Sequence, residues 1–169
     1  MAEDVENGQR ACAACEFVTG TEPPGGTVLG TAMWVVQHSV GPLGLGTLAV
    51  VPVRHVVHVA DLTESESLEL GPLLRRVSAA VTAVMNPEQV YVCLWSHLNA
   101  VPGHIHFVVQ PVLGEDLARY GVYGPVLQIA LSDAGVVPDE AAVEAVCDRL
   151  RTELAANGEP QQKPDGAVP

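Results

Sequence analysis

One stretch of the sequence leaves few folds open. Thr63-Glu64-Ser65-Glu66 has the form of a capping box, and Leu70, Leu73, Leu74, Val77, Val81 and Val84 follow it at helical spacing until Asn86-Pro87 stops the pattern. A helix with one long apolar face must lie on something. Strand-like segments flank it on both sides: Val28 to Val36 and Leu45 to Val53 before it, Gln89 to Trp95 and His104 to Val112 after it. Gly41-Pro42-Leu43-Gly44 breaks the first pair and Ser96 to Gly103 the second. The order predicts an α+β domain, an antiparallel sheet with a long helix after the second strand. Beyond Val112 the pattern turns helical. A short helix is expected within Gly121 to Leu131. Pro138-Asp139-Glu140 opens a clearer one, with Val143, Val146, Leu150 and Leu154 on one face and Asn157-Gly158 at its end. The expected organisation is a core over residues 1–112, a helical extension packed on it over 113–158, and a disordered tail over 159–169, rich in Pro, Gln and Gly.

Charge narrows the partners. Eight basic side chains stand against twenty acidic ones, a formal net charge of −12, which repels phosphate backbones and argues against broad nucleic-acid binding. A small nucleotide held by a few local donors is not excluded by that field. The opening Met1-Ala-Glu-Asp-Val-Glu lacks the basic and apolar regions of a signal peptide, and no apolar run is long enough to cross a membrane, so a cytoplasmic protein is expected. Four cysteines in 169 residues do not make a secreted disulfide scaffold. Cys93 and Cys147 stand in apolar surroundings and read as buried thiols.

Two motifs carry chemistry. Cys12-Ala-Ala-Cys15 supplies half of a tetrahedral zinc site, and with no second Cys-x-x-Cys the remaining ligands would be drawn from His38, His55, His58, His97, His104 and His106. The same spacing also suits a redox pair or two unliganded thiols. His104 and His106 lie two apart on an expected strand, so both imidazoles project from one face, with Val108 and Gln110 continuing it and Ile105, Phe107 and Val109 on the core side. Such a pair serves as metal ligand, nucleophile or proton shuttle, or as a simple surface pair.

Taken together and in order, Gly46 to His55 with its Pro52-Val53-Arg54-His55 end, Ala60-Asp61-Leu62-Thr63 with the helix behind it, and His104 to Pro111 resemble the histidine-triad family of nucleotide hydrolases and transferases. The likeness runs from about Cys12 to Pro111. It implies that His106 is the nucleophile that forms a nucleotidyl-histidine at the α-phosphorus of a nucleotide conjugate such as a dinucleoside polyphosphate. It also implies a structural Zn2+ held by Cys12, Cys15, His55 and His104, and a homodimer joined through the long helix and the strand from Gln89. Candidate substrate contacts are His38, Ser39, Ser96, His97, Asn99 and Gln110. The chain departs from the family pattern at Val108, where a third histidine would stand, and at Ser39, where an acidic residue often meets the ribose. A zinc-stabilised nucleotide-binding or interaction module with little catalysis is therefore the alternative.

Overall fold

The computed structural model describes residues 12–20, 22–94 and 103–157, and the backbone alone of 97–98 and 101–102. The tail expected over 159–169 lies outside the described residues, as does the acidic N-terminus. A five-stranded antiparallel sheet forms the centre. In chain order its strands are β1 (Thr27–Gly30), β2 (Trp34–His38), β3 (Leu48–Pro52), β4 (Gln89–Leu94) and, after a two-residue pair β5 (His97–Leu98) and β6 (Val101–Pro102), β7 (Phe107–Val112). Across the sheet the order is β1-β2-β3-β7-β4. The helices are α1 (Ala13–Thr19), α2 (Glu64–Met85), α3 (Gly114–Tyr120), α4 (Pro125–Ala134) and α5 (Glu140–Ala156).

The α+β expectation holds. α2 begins with the expected capping box: Thr63 Oγ1 accepts the Glu66 N–H at 3.2 Å and the Glu66 carboxylate accepts the Thr63 N–H at 2.7 Å. Asn86 ends it in the left-handed region at φ 47°. One sheet face presents Trp34, Val36, Leu48, Val50 and Val109 to Leu73, Val77 and Val81 of α2. α5 closes the same core with Val143, Val146, Cys147, Leu150 and Leu154, all buried. It is pinned to the sheet edge where Arg151 Nη1 donates to the carbonyls of Gly25 and Thr27. Cys147 is fully buried, whereas Cys93 is only half-buried.

Three expectations need correction. Val28 to Val36 is not one strand. The Thr31 hydroxyl accepts the N–H groups of Met33 and Trp34 at 3.1 and 2.9 Å, a side-chain turn that folds the segment into the β1–β2 hairpin. The last strand starts at Phe107, not His104. Pro52 ends β3 and has no N–H to continue the ladder, so Ile105 N–H instead reaches the Val56 carbonyl at 2.8 Å. Finally, the helix expected within Gly121 to Leu131 begins at Pro125, after Gly121 and Gly124 at positive φ (64° and 58°), and runs past Leu131 to Ala134, while Gly121 ends an additional helix, α3.

The second sheet face is covered at its two ends. Gln37 Nε2 donates to the Phe17 carbonyl of α1 at 2.7 Å. At the other end Gln128 of α4 donates to Gln110 Oε1 and to Cys93 Sγ, and the Gly124 N–H donates to the Tyr91 hydroxyl. Beside the first of these covers the described residues leave a cleft on this face.

Candidate metal centre and cleft

The Ile105–Val56 hydrogen bond lays the segment before β7 beside the segment after β3. It brings the His55 and His104 rings to 4.9 Å between centroids. α1 crosses above them with Cys12 as its N-cap residue and Cys15 in its first turn. The ligand atoms of Cys12, Cys15, His55 and His104 all lie within 4.8 Å of one another. Cys15 Sγ stands 3.2 Å from His55 Nδ1 and 3.5 Å from His104 Nδ1. Sulfur and nitrogen bound to one tetrahedral zinc are separated by about 3.6 Å. Two thiols and two imidazoles at these distances fit a zinc ion by number, by softness and by spacing.

The electrostatics of the cluster agree. Burial, and then the adjacent Cys12 thiol, push Cys15 up to about 11, so a cation bound there must displace the Cys15 proton. Burial, and then His55 beside it, press His104 down to about 4, against the pull of the Pro52 and Arg54 carbonyls. His104 is thereby neutral, the form that binds metal. Its Nε2 is fully buried and has no hydrogen-bond partner among the described residues.

His106 sits elsewhere. It is half-buried and lines a cleft of about 250 Å³ on the second sheet face, together with Phe17, Gln37, His38, Ser39 and Val51. Its Nδ1 lies 3.3 Å from the His104 carbonyl. An N–H on Nδ1 leaves the lone pair on Nε2. Thus the two imidazoles of the His-x-His motif divide, one to the thiol cluster and one to the cleft.

The remaining sequence candidates fall into three groups. His38 lines the cleft, but both its nitrogens are engaged: Nε2 accepts the Gly46 N–H at 3.0 Å and Nδ1 donates to the Ser39 carbonyl at 2.8 Å. Burial keeps it neutral. Ser39 stands at the cleft edge, half-buried. Gln110 is 1% exposed and does not line this cleft; its amide donates to the Leu43 carbonyl and its oxygen accepts from Gln128. Val108 is also buried. Ser96 and Asn99 lie outside the described residues, and of His97 only the backbone, in β5, is described. Arg54 does not face the cleft: it is paired with Glu66 and bonded to the Asp61 carbonyl. Sequence reasoning missed Phe17, Gln37, Val40 and Val51. Gln37, a polar residue inside a Val-rich strand, was the one with a readable signal.

No protein-family model matches the chain, and no curated protein matches it. Solved structures do. A zinc-bound histidine triad family protein from Mycobacterium smegmatis is similar at a TM-score of 0.66 with 19% identity, over 89% of this chain and 98% of that one. A hypothetical histidine triad nucleotide-binding protein from Sulfolobus tokodaii reaches 0.67 with 15% identity, over 92% and 100%. A HIT family protein from Bacillus anthracis reaches 0.56 with 16% identity, over 88% and 95%. At these identities the likeness establishes the fold: the chain has the architecture of histidine-triad proteins. No helix among the described residues is long and apolar enough to cross a membrane.

Proposed function

We propose that this chain is a zinc-bearing hydrolase or transferase that acts at the α-phosphorus of a nucleotide conjugate, such as a dinucleoside polyphosphate, with His106 as nucleophile. The observation that carries this reading is the division of the two imidazoles. His104 is committed to a four-donor cluster, while His106 faces the cleft with Nδ1 held by a backbone carbonyl. Cys12, Cys15, His55 and His104 would hold the metal, and its contribution is structural, since four protein donors leave no position for water.

His106 Nε2 forms the bond to phosphorus as the bond from phosphorus to the leaving group breaks, and the leaving group takes up a proton. Water then attacks the nucleotidyl-histidine, releasing the mononucleotide and restoring the imidazole. Ser39 supplies a hydroxyl at the cleft edge, and Ser96, His97 and Asn99 are the proposed donors to phosphate oxygens. His38 and Gln110 act as struts, through the Ser39 and Leu43 carbonyls they hold. The acidic surface favours small ligands over nucleic acid, and the working form is a cytoplasmic homodimer joined at α2 and the edge strand β4.

One observation favours a second reading. Val108, buried where a third histidine would stand, offers the phosphate nothing. In that reading the chain binds a nucleotide without turning it over. Single-turnover labelling with α-phosphorus-labelled nucleotide conjugates, quenched without acid, separates the two. A covalent adduct on His106 is expected. Saturable binding with no adduct and no product would overturn catalysis in favour of the binding module.

A further inference from the structure

The cleft continues past the point where His106 can reach. A second cavity of about 160 Å³ adjoins it and shares His38, Ser39 and Val40 as a common wall. His106 lines the first chamber and not the second. The second is closed on its far side by Val137 and Pro138, from the segment between α4 and α5, and by Val143 of α5, with Pro24 beside them and Glu140 at the rim. Val40 and Val137 are 59% and 62% exposed, apolar side chains that line this cavity and that no other described residue buries. Such a concave, mostly apolar pocket with a few polar groups is the usual form of a small-molecule site.

We propose that this second chamber binds a neutral ring or short aliphatic group carried at the nucleoside end of the substrate. The inference rests on the nucleotide reading above and adds a substrate class to it. A ligand with its phosphorus at His106 fills the first chamber, so only its opposite end can cross into the second. The crossing passes Ser39, whose backbone N–H is taken by the Thr47 carbonyl and whose own carbonyl is taken by His38. Its hydroxyl is what remains to meet a sugar or base group at the junction. Glu140 at the rim opposes a second phosphate there. The polyphosphate or other leaving group therefore departs from the His106 end, and the second chamber reads a feature of the nucleoside itself. The selectivity is built by residues 137–143, outside the stretch that carries the nucleophile and the thiol cluster.

The test measures affinities of the wild-type, zinc-loaded protein for AMP, GMP, CMP and UMP by calorimetry. It then takes two derivatives of the tightest binder: one with a methylanthraniloyl group on a ribose hydroxyl, one with a benzyl group on the exocyclic amine or ring of the base. A ring that buries roughly 60 Å² of apolar surface gains about tenfold in affinity. At least one derivative is expected to show that gain, and Val137→Asn, at an exposed position, is expected to abolish it while the parent monophosphate binds within about twofold of wild type. No gain for either derivative, or a gain that survives Val137→Asn, overturns the second chamber and leaves the nucleotide reading standing. Failure of all four monophosphates to bind overturns the nucleotide reading and this inference with it.

Discussion

Glu66→Gln tests how the loop that carries His55 is held. Glu66 is 5% exposed, and its carboxylate meets Arg54 through Nη2 at 2.8 Å and Nε at 3.2 Å while accepting the Thr63 N–H at 2.7 Å. Its carbonyl accepts the Trp34 indole N–H at 3.2 Å. Chiefly through the Arg54 hydrogen bonds, and despite burial, the carboxylate is lowered from 4.5 to about 2. That lowering corresponds to about 3 kcal/mol. Arg54 is 47% exposed on its side-chain surface, and solvent screening brings the usable stability to about 2 kcal/mol. Because the folded-state value is depressed, this stability is fully present above pH 4.5 and is lost as the pH falls through about 2; about half is gone at pH 3. The amide cannot accept both Arg54 donors, so Glu66→Gln should lose about 2 kcal/mol at pH 7, a fall of about 4–8 °C in Tm for a chain of this size. Urea denaturation of both proteins at pH 7 and pH 3 measures it, and loss of metal at low pH affects both alike and cancels in the difference. A difference below about 0.5 kcal/mol at pH 7, or one that stays the same at pH 3, would refute the reasoning.

Protein purified without a histidine tag should carry one zinc per chain by elemental analysis, and chelation should lower its Tm because the four donors come from three separate segments. His106→Ala should abolish nucleotidyl transfer and leave zinc content and Tm within a few degrees of wild type, whereas His104→Ala should lose zinc and stability together; metal analysis beside single-turnover kinetics reads the split. Gly46→Ala should cost roughly 2 kcal/mol in a thermal melt, since Gly46 has φ +81° and a Cβ there would sit 2.8 Å from Met85 Sδ. Sedimentation at micromolar concentration should find a dimer, with Val92→Lys on the β4 edge, 45% exposed, shifting it to monomer.

The parts of this protein that could be read from sequence are those set by short-range rules. The capping box of α2 and the buried stripe Val143, Val146, Leu150 and Leu154 needed only periodicity and side-chain chemistry. The metal quartet combined a legible Cys-x-x-Cys with a pattern resemblance that chose among six histidines. The β1–β2 hairpin was hidden because its turn is made by one threonine hydroxyl in an otherwise apolar run, not by Asn-Gly or Gly-Gly. The start of β7 was misplaced because the pairing is broken by a proline on the neighbouring strand, Pro52, far away in the chain. The cleft's outer wall was invisible for a like reason. Val40 and Val137 are nearly a hundred positions apart, and nothing local in either segment announces that they face one cavity.

The way α5 completes the core also bears on how the protein is made. Arg151 reaches back to the Gly25 and Thr27 carbonyls, 126 and 124 positions earlier in the chain. The thiol and imidazole donors are all synthesised by residue 104, whereas the helix that shields Val28 and Trp34 ends only at Ala156. If the four donors hold zinc as proposed, a nascent chain can load it while one side of the sheet is still bare. Ordering the early segments around an ion lowers the entropy that must later be lost when distant ends meet. On that proposal metal supply during translation would govern the yield of folded protein, and zinc-starved cells should accumulate aggregates of this chain before mature molecules lose their metal.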